Sequence, residues 1–266
     1  MLKIGLVGAS GKMASYLLEE ITNSNKMKLT YALVRPKSPH LGKDIGEFFN
    51  HKPVGILFTD SLDMWDQVDI VIDFSSNEIS LEIAKLCAKH HKIHIIGTTA
   101  INDDQQKLLK EYAKDSTIVF SFNMSFAVNL LADLVYEVAR KLGGEFDIEI
   151  LETHHRNKKD APSGTALMLG EAAAKGRDID FIDKKIFDRS ALNSPRKTGD
   201  IGFASIRGGE SIFEHNVMFI GDNERIELSH KATSRVIYAQ GAIKAALWAT
   251  KQPYGLYSMK DVIGVK

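Results

Sequence analysis

Cysteine is almost missing from this chain, with a single residue, Cys87, among 266. One thiol excludes an intramolecular disulfide and any multi-cysteine zinc or iron–sulfur site, and it fits a reducing compartment. An excess of either charge is missing as well, because 34 Lys and Arg balance 34 Asp and Glu. Nucleic acid and anionic membrane surfaces select for surplus Lys and Arg, so neither is an expected partner, and any bound anion must be met by a local cluster. No run approaches the roughly 18 apolar residues of a membrane span, and the start MLKIGLVGAS lacks the basic segment and apolar stretch of a secretory leader. The expectation is a soluble, cytoplasmic protein. Internal repeats, low-complexity tracts and Gly/Ser linkers are also lacking.

What is present is a chain with 44% hydrophobic residues, enough to bury one large or two smaller cores at roughly 100 to 200 residues per domain. Short β-branched runs alternate with helical periodicity from the N-terminus. Leu2 to Val7, Leu29 to Val34, Asp69 to Phe74, Lys92 to Ile96 and Thr117 to Phe120 read as strands apolar on both faces, the pattern of a parallel sheet covered by helices. Between two of them, Asn77 to His91 places Ile79, Ile83, Leu86 and Cys87 on one helical stripe. Cys87 is therefore expected to be a small buried hydrophobe, since a reactive thiol needs exposure and a positive neighbourhood. After a long helix from about Val128 to Leu142 the strands alternate instead. Phe146, Ile148 and Ile150 share a face, as do Phe213, His215, Val217 and Phe219, and Ile226, Leu228 and His230. That alternation predicts a second, mixed sheet with one covered face. His215 and His230 fall on the apolar sides and are expected to be core histidines outside any site. A final helix, Ala239 to Thr250, can return to the first domain.

The first strand runs directly into Gly8, Ala9, Ser10, Gly11, Lys12, Met13 and Ala14, and a helical pattern through Tyr16, Leu17, Leu18 and Ile21 follows. Glycines at such a turn let backbone N–H groups approach a pyrophosphate, and the helix N-terminus adds a favourable dipole. The spacing is G-x-x-G-x-x-A; its place after the first strand favours a nucleotide-binding loop over a plain β–α turn. The second strand ends in Leu33, Val34 and Arg35. The carboxylate that holds ribose hydroxyls is missing there and a guanidinium is present, which favours NADPH over NADH. Two further strand ends, Gly97-Thr98-Thr99 and Ser121-Phe122-Asn123-Met124, fall where cofactors sit in open α/β sheets.

The most informative stretch runs from Glu149 to Ala166. A strand ends near Thr153, the cationic run His154-His155-Arg156-Asn157-Lys158-Lys159 follows, and a helix begins around Ser163. Two anion-binding devices are thus consecutive: the cationic side chains, and the oriented amides of Ser163, Gly164 and Thr165. A small substrate with two carboxylates matches them, one for each. The bland reading is a solvated turn, but a tight basic cluster leading into a helix N-terminus is hard to explain as solubility in a chain of zero net charge. No metal is expected, because adjacent His154 and His155 diverge on an extended backbone and no H-E-x-x-H spacing is present. Ser163 lacks the G-x-S-x-G elbow of a serine hydrolase.

These residues resemble the dihydrodipicolinate reductase (4-hydroxy-tetrahydrodipicolinate reductase) family, whose signature E-[IV]-x-E-x-H-x-x-x-K-x-D-x-P-S-G-T-A is matched at every fixed position from Glu149 to Ala166. The likeness extends to the Gly8 to Met13 loop, Gly97-Thr98-Thr99, Phe122-Asn123, Gly202-Phe203-Ala204 and His230-Lys231-Ala232. It implies an α/β fold: a Rossmann-type dinucleotide-binding domain formed by residues 1–126 plus 236–266, with an inserted α+β substrate-binding and oligomerisation domain, residues 127–235, commonly assembled as a homotetramer. It also implies hydride transfer from NADPH or NADH to C4 of a cyclic conjugated imine dicarboxylate in the diaminopimelate and lysine pathway. On that resemblance His154 is the acid/base residue and Lys158 a second proton donor, while His155, Gly164 and Thr165 hold the substrate carboxylates. Two alternatives remain. A semialdehyde dehydrogenase would need a nucleophilic cysteine, and a silent NAD(P)-sensing module would have a damaged acid/base set.

Overall fold

The computed structural model describes residues 1–99, 101–190, 192–210 and 212–265. In chain order the elements are β1 (Leu2–Val7), α1 (Lys12–Thr22), β2 (Met27–Leu33), α2 (Ile45–Phe48), β3 (Phe58–Thr59), β4 (Ile70–Asp73), α3 (Asn77–Lys89), β5 (Ile93–Ile96), α4 (Asp103–Tyr112) and β6 (Thr117–Phe120). There follow α5 (Phe126–Leu142), β7 (Asp147–His154), α6 (Gly164–Gly176), α7 (Phe181–Lys184), β8 (Lys185–Ile186), β9 (Ile201–Arg207), β10 (Phe213–Ile220) and β11 (Arg225–Ala232). The chain ends with α8 (Val236–Ala249), β12 (Gly255–Tyr257) and α9 (Met259–Ile263). Two compact units result: Met1–Phe126 with Arg235–Lys266, and Ala127–Ser234. Among the described residues no helix is long and apolar enough to cross a membrane.

The first unit is a seven-stranded sheet in the order β12-β6-β5-β4-β1-β2-β3, parallel at every pairing. All four residues of β4, Ile70 to Asp73, and of β6, Thr117 to Phe120, are buried, as a doubly covered sheet requires. Crossover helices supply the cover. Ala14, Leu17, Leu18 and Ile21 form the buried stripe of α1, and Cys87 lies fully buried on α3, where burial pushes its thiol well above the ordinary range. Helix α8, which follows the second unit in the chain, packs against α1 and the adjoining strands. Its buried residues are nearly all small: Ala239, Gly241, Ala242, Ala245, Ala246 and Ala249. Gly241 is where the approach is closest, because an added Cβ would stand 1.7 Å from the Met124 carbonyl oxygen that follows β6. This order, with the strand sequence reversing beside β1, is the Rossmann arrangement.

The second unit is a five-stranded mixed sheet, β11-β10-β7-β9-β8. β10 runs antiparallel to β7 and β11, while β7, β9 and β8 run parallel. Alternate residues of β7, namely Ile148, Ile150, Glu152 and His154, are buried, and on β10 so are Phe213, His215, Val217 and Phe219. Ile148, Ile150, Val217 and Phe219 share a core with Ala166, Leu169 and Ala173 of α6. The register pairs Phe219 with Ile148, Val217 with Ile150 and His215 with Glu152. One buried face therefore runs from apolar to ionisable along its length, and its polar end holds the functional candidates.

Gly241→Ala should destabilise the first unit by about 1 to 3 kcal/mol, the usual range for overpacking a close contact. Urea unfolding should show a lower midpoint with an unchanged slope; an unchanged midpoint would mean that α8 can shift away at no cost.

Candidate active site

In the first unit, β1 feeds the turn at Gly8 with φ +75°, and an added Cβ would lie 2.6 Å from the Phe74 carbonyl oxygen. Only glycine meets both demands. Gly11 N–H donates to Gly8 O at 2.9 Å, closing the turn, and Gly11 caps α1 with no side-chain hydrogen bond. The first-turn amides at Lys12 and Met13 have no partner within the helix and point out of its N-terminus. Ala9 behaves differently from the expectation for the loop, because its amide donates to Leu33 O at 2.9 Å and its side chain is wholly buried. It holds the loop to β2 and has no amide left for a ligand.

A cavity of about 490 Å³ opens here, lined among others by Gly8, Ser10, Gly11, Arg35, Asp60 and Glu82. Arg35 lines it. Asp60 was not foreseen: the acid that is missing beside Arg35 in sequence arrives from the end of β3, where Asp60 Oδ2 accepts from the Lys37 amide at 3.4 Å. β3 has only two residues, too few for any periodicity to reveal. Gly97 abuts the cavity wall, since a Cβ there would lie 2.3 Å from the Phe74 ring. Thr98 is buried, its hydroxyl oxygen accepting from Ser80 at 2.8 Å, while Thr99 is exposed. At the end of β6, Ser121 donates to Asn123 O at 2.9 Å, Asn123 Oδ1 accepts from Ser125 N–H at 2.8 Å, and Phe122 is half exposed. Met124, expected among the cofactor contacts, has its side chain in the hydrophobic core and its carbonyl against Gly241.

The second unit gathers its candidates around Glu152, whose side chain is fully buried. Glu152 Oε2 accepts from His154 Nδ1 at 2.5 Å. Arg207, opposite His154 in the β7–β9 register, forks onto both carboxylate oxygens at 2.8 and 2.7 Å. The Ser163 amide adds a contact to Oε1 at 3.3 Å. Burial works to raise the Glu152 pKa, but the hydrogen bonds from His154, Arg207 and Ser205 outweigh it and hold the carboxyl well below the usual range. His154 thus has Nδ1 committed to Glu152, with Nε2 as its other nitrogen.

Beyond β7 the chain folds back, with Gly208 N–H donating to His154 O and Lys158 N–H to His155 O, each at 3.1 Å. Lys158 Nζ donates to both Asp160 oxygens at 2.9 Å, and this keeps the Asp160 carboxyl below its ordinary range. His155 is half-buried and Arg156 and Lys159 are exposed. Helix α6 then begins at Gly164, with Ser163 as its cap accepting from the Ala166 amide at 3.1 Å. This corrects one expectation: the Ser163 amide is engaged by Glu152 and its hydroxyl by the cap, so the residue supports the site from beneath. Gly164 is exposed, and a Cβ there would meet nothing within 4 Å, so the helix end stands open. Thr165 follows it in the first turn.

His215 is also corrected. Far from being a satisfied core residue, it lies edge-on to His154, ring centroids 5.4 Å apart, with Nε2 at 2.9 Å from Ser163 Oγ and a buried Nδ1 without a partner. Alternation alone assigned it to an apolar face; register with Glu152 places it at that face's polar end. His230 stacks on Phe213 at 5.9 Å and stays peripheral. Among the described residues no group of three or more His, Cys, Asp or Glu is placed to hold a metal ion.

Models of the N-terminal and C-terminal parts of dihydrodipicolinate reductase match residues 2–124 and 127–263. The chain belongs to the dihydrodipicolinate reductase family. A 4-hydroxy-tetrahydrodipicolinate reductase from Brucella abortus (strain 2308) is 48% identical over 262 residues, covering 98% of each chain. Another, from Hahella chejuensis (strain KCTC 2396), is 43% identical over 267 residues and covers 100% of each. The fold is that of a dipicolinate-bound dihydrodipicolinate reductase from Paenisporosarcina sp. TG-14, with a TM-score of 0.76 at 21% identity over 97% of each chain.

In this family member the buried ring of His215 sets a pH dependence. Burial, and then the positive charge of His154, push its pKa down to about 3. The unfolded chain takes up a proton that the folded one refuses, so this contribution to stability is complete above roughly pH 6.5 and is lost as pH falls toward 3. Between pH 7 and pH 5 the loss should be about 2 kcal/mol, at 1.36 kcal/mol per pH unit below the ordinary histidine pKa. Urea titrations at both pH values should show it in the wild type and much less of it in His215→Gln; equal losses would assign the acid sensitivity elsewhere.

Proposed function

We propose that this chain catalyses the NAD(P)H-dependent reduction of 4-hydroxy-tetrahydrodipicolinate to tetrahydrodipicolinate in diaminopimelate and lysine biosynthesis. The first unit serves as the dinucleotide-binding domain and the second as the substrate-binding and oligomerisation domain. The observation that carries the reading is the buried Glu152–His154 pair beside the open start of α6, within a chain that belongs to this family along nearly its whole length. The glycine turn, whose φ and close packing exclude a side chain, and the cavity at the carboxyl ends of β1 and β2 fit a dinucleotide. Ser10, Lys12 and Met13 would hold its phosphates, and Arg35 and Asp60 would meet its adenosine ribose.

The nicotinamide, when bound, supplies the hydride to C4 of the cyclic conjugated imine that forms once the substrate's 4-hydroxyl has left as water. The protein's own residues bind, orient and protonate. The amides at Gly164 and Thr165, with the dipole of α6, hold one substrate carboxylate, and His155 and Lys158 hold the other. A fixed cationic surround lowers the barrier as negative charge develops toward the ring nitrogen. His154 transfers the proton through Nε2, and imidazole is suited to that role near neutral pH. Lys158, drawn toward Asp160, is a second donor. We place the enzyme in the cytoplasm, where a lone thiol stays reduced, and expect a homotetramer assembled through the second unit.

Arg35 favours NADPH, because a guanidinium can fork onto a 2′-phosphate; Asp60 in the same cavity limits that preference by repelling the phosphate and accepting ribose hydroxyls.

Nicotinamide absorbance followed with the product of the preceding synthase should report turnover. His154→Ala should lower kcat about 10²- to 10⁴-fold, the range for losing a general acid, and leave NADPH affinity within about twofold, since His154 is assigned no contact to the dinucleotide. Full turnover by that variant would remove His154 from the chemistry. Arg35→Ala should weaken NADPH about 10- to 100-fold relative to NADH, as expected for a lost charge-assisted pair, and Asp60→Asn should move the ratio in the opposite direction. Comparable kcat/KM with both nucleotides in the wild type would defeat the NADPH preference.

A further inference from the structure

From the geometry around His154 we infer that Glu152 and Arg207 are positioning residues for proton transfer: Arg207 clamps Glu152, and Glu152 fixes the His154 proton on Nδ1, so that Nε2 alone exchanges it. The inference rests on the reading of His154 as the proton-transfer residue.

A carboxylate with no exposed side-chain surface takes up a proton unless cations and donors surround it. Glu152 has such surroundings. Arg207 meets both oxygens at 2.8 and 2.7 Å, the Ser163 amide meets Oε1 at 3.3 Å, and His154 Nδ1 meets Oε2 at 2.5 Å. An ionised carboxylate is an acceptor only, so Nδ1 carries hydrogen in both the neutral and the charged ring. The proton given to substrate must then leave from Nε2, and the remaining neutral ring is already in the tautomer that can be recharged there. A neutral amide at position 152 could donate to Nδ1 instead and force the proton of the neutral ring onto Nε2, disabling it as an acceptor.

Arg207 also reaches the second proposed donor. Its Nη2 donates to Asp160 O at 2.7 Å, and the Asp160 carboxylate holds Lys158 Nζ at 2.9 Å. One guanidinium from β9 therefore orders both His154, through Glu152, and the loop that carries Lys158. The Arg207 position lies far from the signature segment in sequence and is brought to it by the pairing of His154 with Arg207 between parallel strands.

The test is kcat against pH in a chain whose titratable neighbours are known. The groups facing His154 are Glu152 on β7, Arg207 on β9, His215 on β10, Lys158 and Asp160 in the loop, and the N-terminus of α6. Glu152→Gln should lower kcat by about 10²- to 10⁴-fold, as when a histidine's orienting carboxylate is lost, and shift the limb assigned to His154, with NADPH affinity measured by fluorescence titration unchanged. Arg207→Lys, which keeps the charge and loses the fork, should retain intermediate kcat and raise KM through the loosened loop. Glu152→Gln with wild-type kcat and an unshifted profile overturns the inference. Because that variant can fail to fold, a second readout uses the wild type: the ¹⁵N shifts of His154 should show Nδ1 protonated and Nε2 bare in the neutral ring, and the reverse tautomer also overturns it. Absence of reductase activity in the wild type would instead defeat the functional reading, leaving the tautomer result to stand on its own.

Discussion

The second unit is organised around a buried negative charge. Removing an isolated carboxylate from water costs several kcal/mol, and Glu152 is compensated, among the described residues, by groups that arrive from three separate segments: His154 on its own strand, Arg207 with Ser205 on β9, and Ser163 at the entry to α6. Each arrival depends on register. A slip of one residue between β7 and β9 would turn Arg207 to the opposite face and strand the charge. The requirement to satisfy Glu152 therefore ties strand pairing, helix entry and the orientation of His154 to one another.

The same pairing changes how the cationic segment works. In sequence, Arg156, Lys158 and Lys159 beside two histidines read as a bare positive cluster. In the structure Lys158 is already bound by Asp160, and Arg156 stands 3.9 Å from Glu210 on the exposed surface. On the proposed reading a dicarboxylate competes with Asp160 for Lys158, whereas the start of α6 is open. On that reading the helix end is the better anchor, since Lys158 is already held by a carboxylate.

Whatever was carried by contiguous residues could be read in advance. β1 occupies Leu2–Val7 as its apolar run indicates, Cys87 lies in the buried stripe of α3, and the order strand, loop, helix around Ser163 is visible in the signature. What could not be read depends on pairing between distant segments. β3, β8 and β12 have two or three residues each, too short for alternation to register. Arg207 and His215 join the site only because β9 and β10 flank β7, and Asp60 joins Arg35 only because β3 pairs with β2. Ser163 and Ala9 show the complementary difficulty, because their amides are already used within the fold by Glu152 and Leu33, while the Met124 side chain is used by the hydrophobic core.

The helix starts differ in whether the chain answers the dipole itself. α3, α4 and α9 place Glu78, Asp103 with Asp104, and Asp261 in their first turns, so each dipole is answered by an acid of its own. α1 and α6 have none there. Absence alone distinguishes nothing, since α5 and α8 lack such acids too. The further feature is how the preceding residue is prepared. Gly11 at α1 leaves the helix end without a side-chain cap, while Ser163 at α6 takes the Ala166 amide and leaves Gly164 uncovered. The first arrangement suits a pyrophosphate, which needs several amides at close range. The second leaves fewer free donors, because the Ser163 amide and hydroxyl are already used, and that suits a single carboxylate.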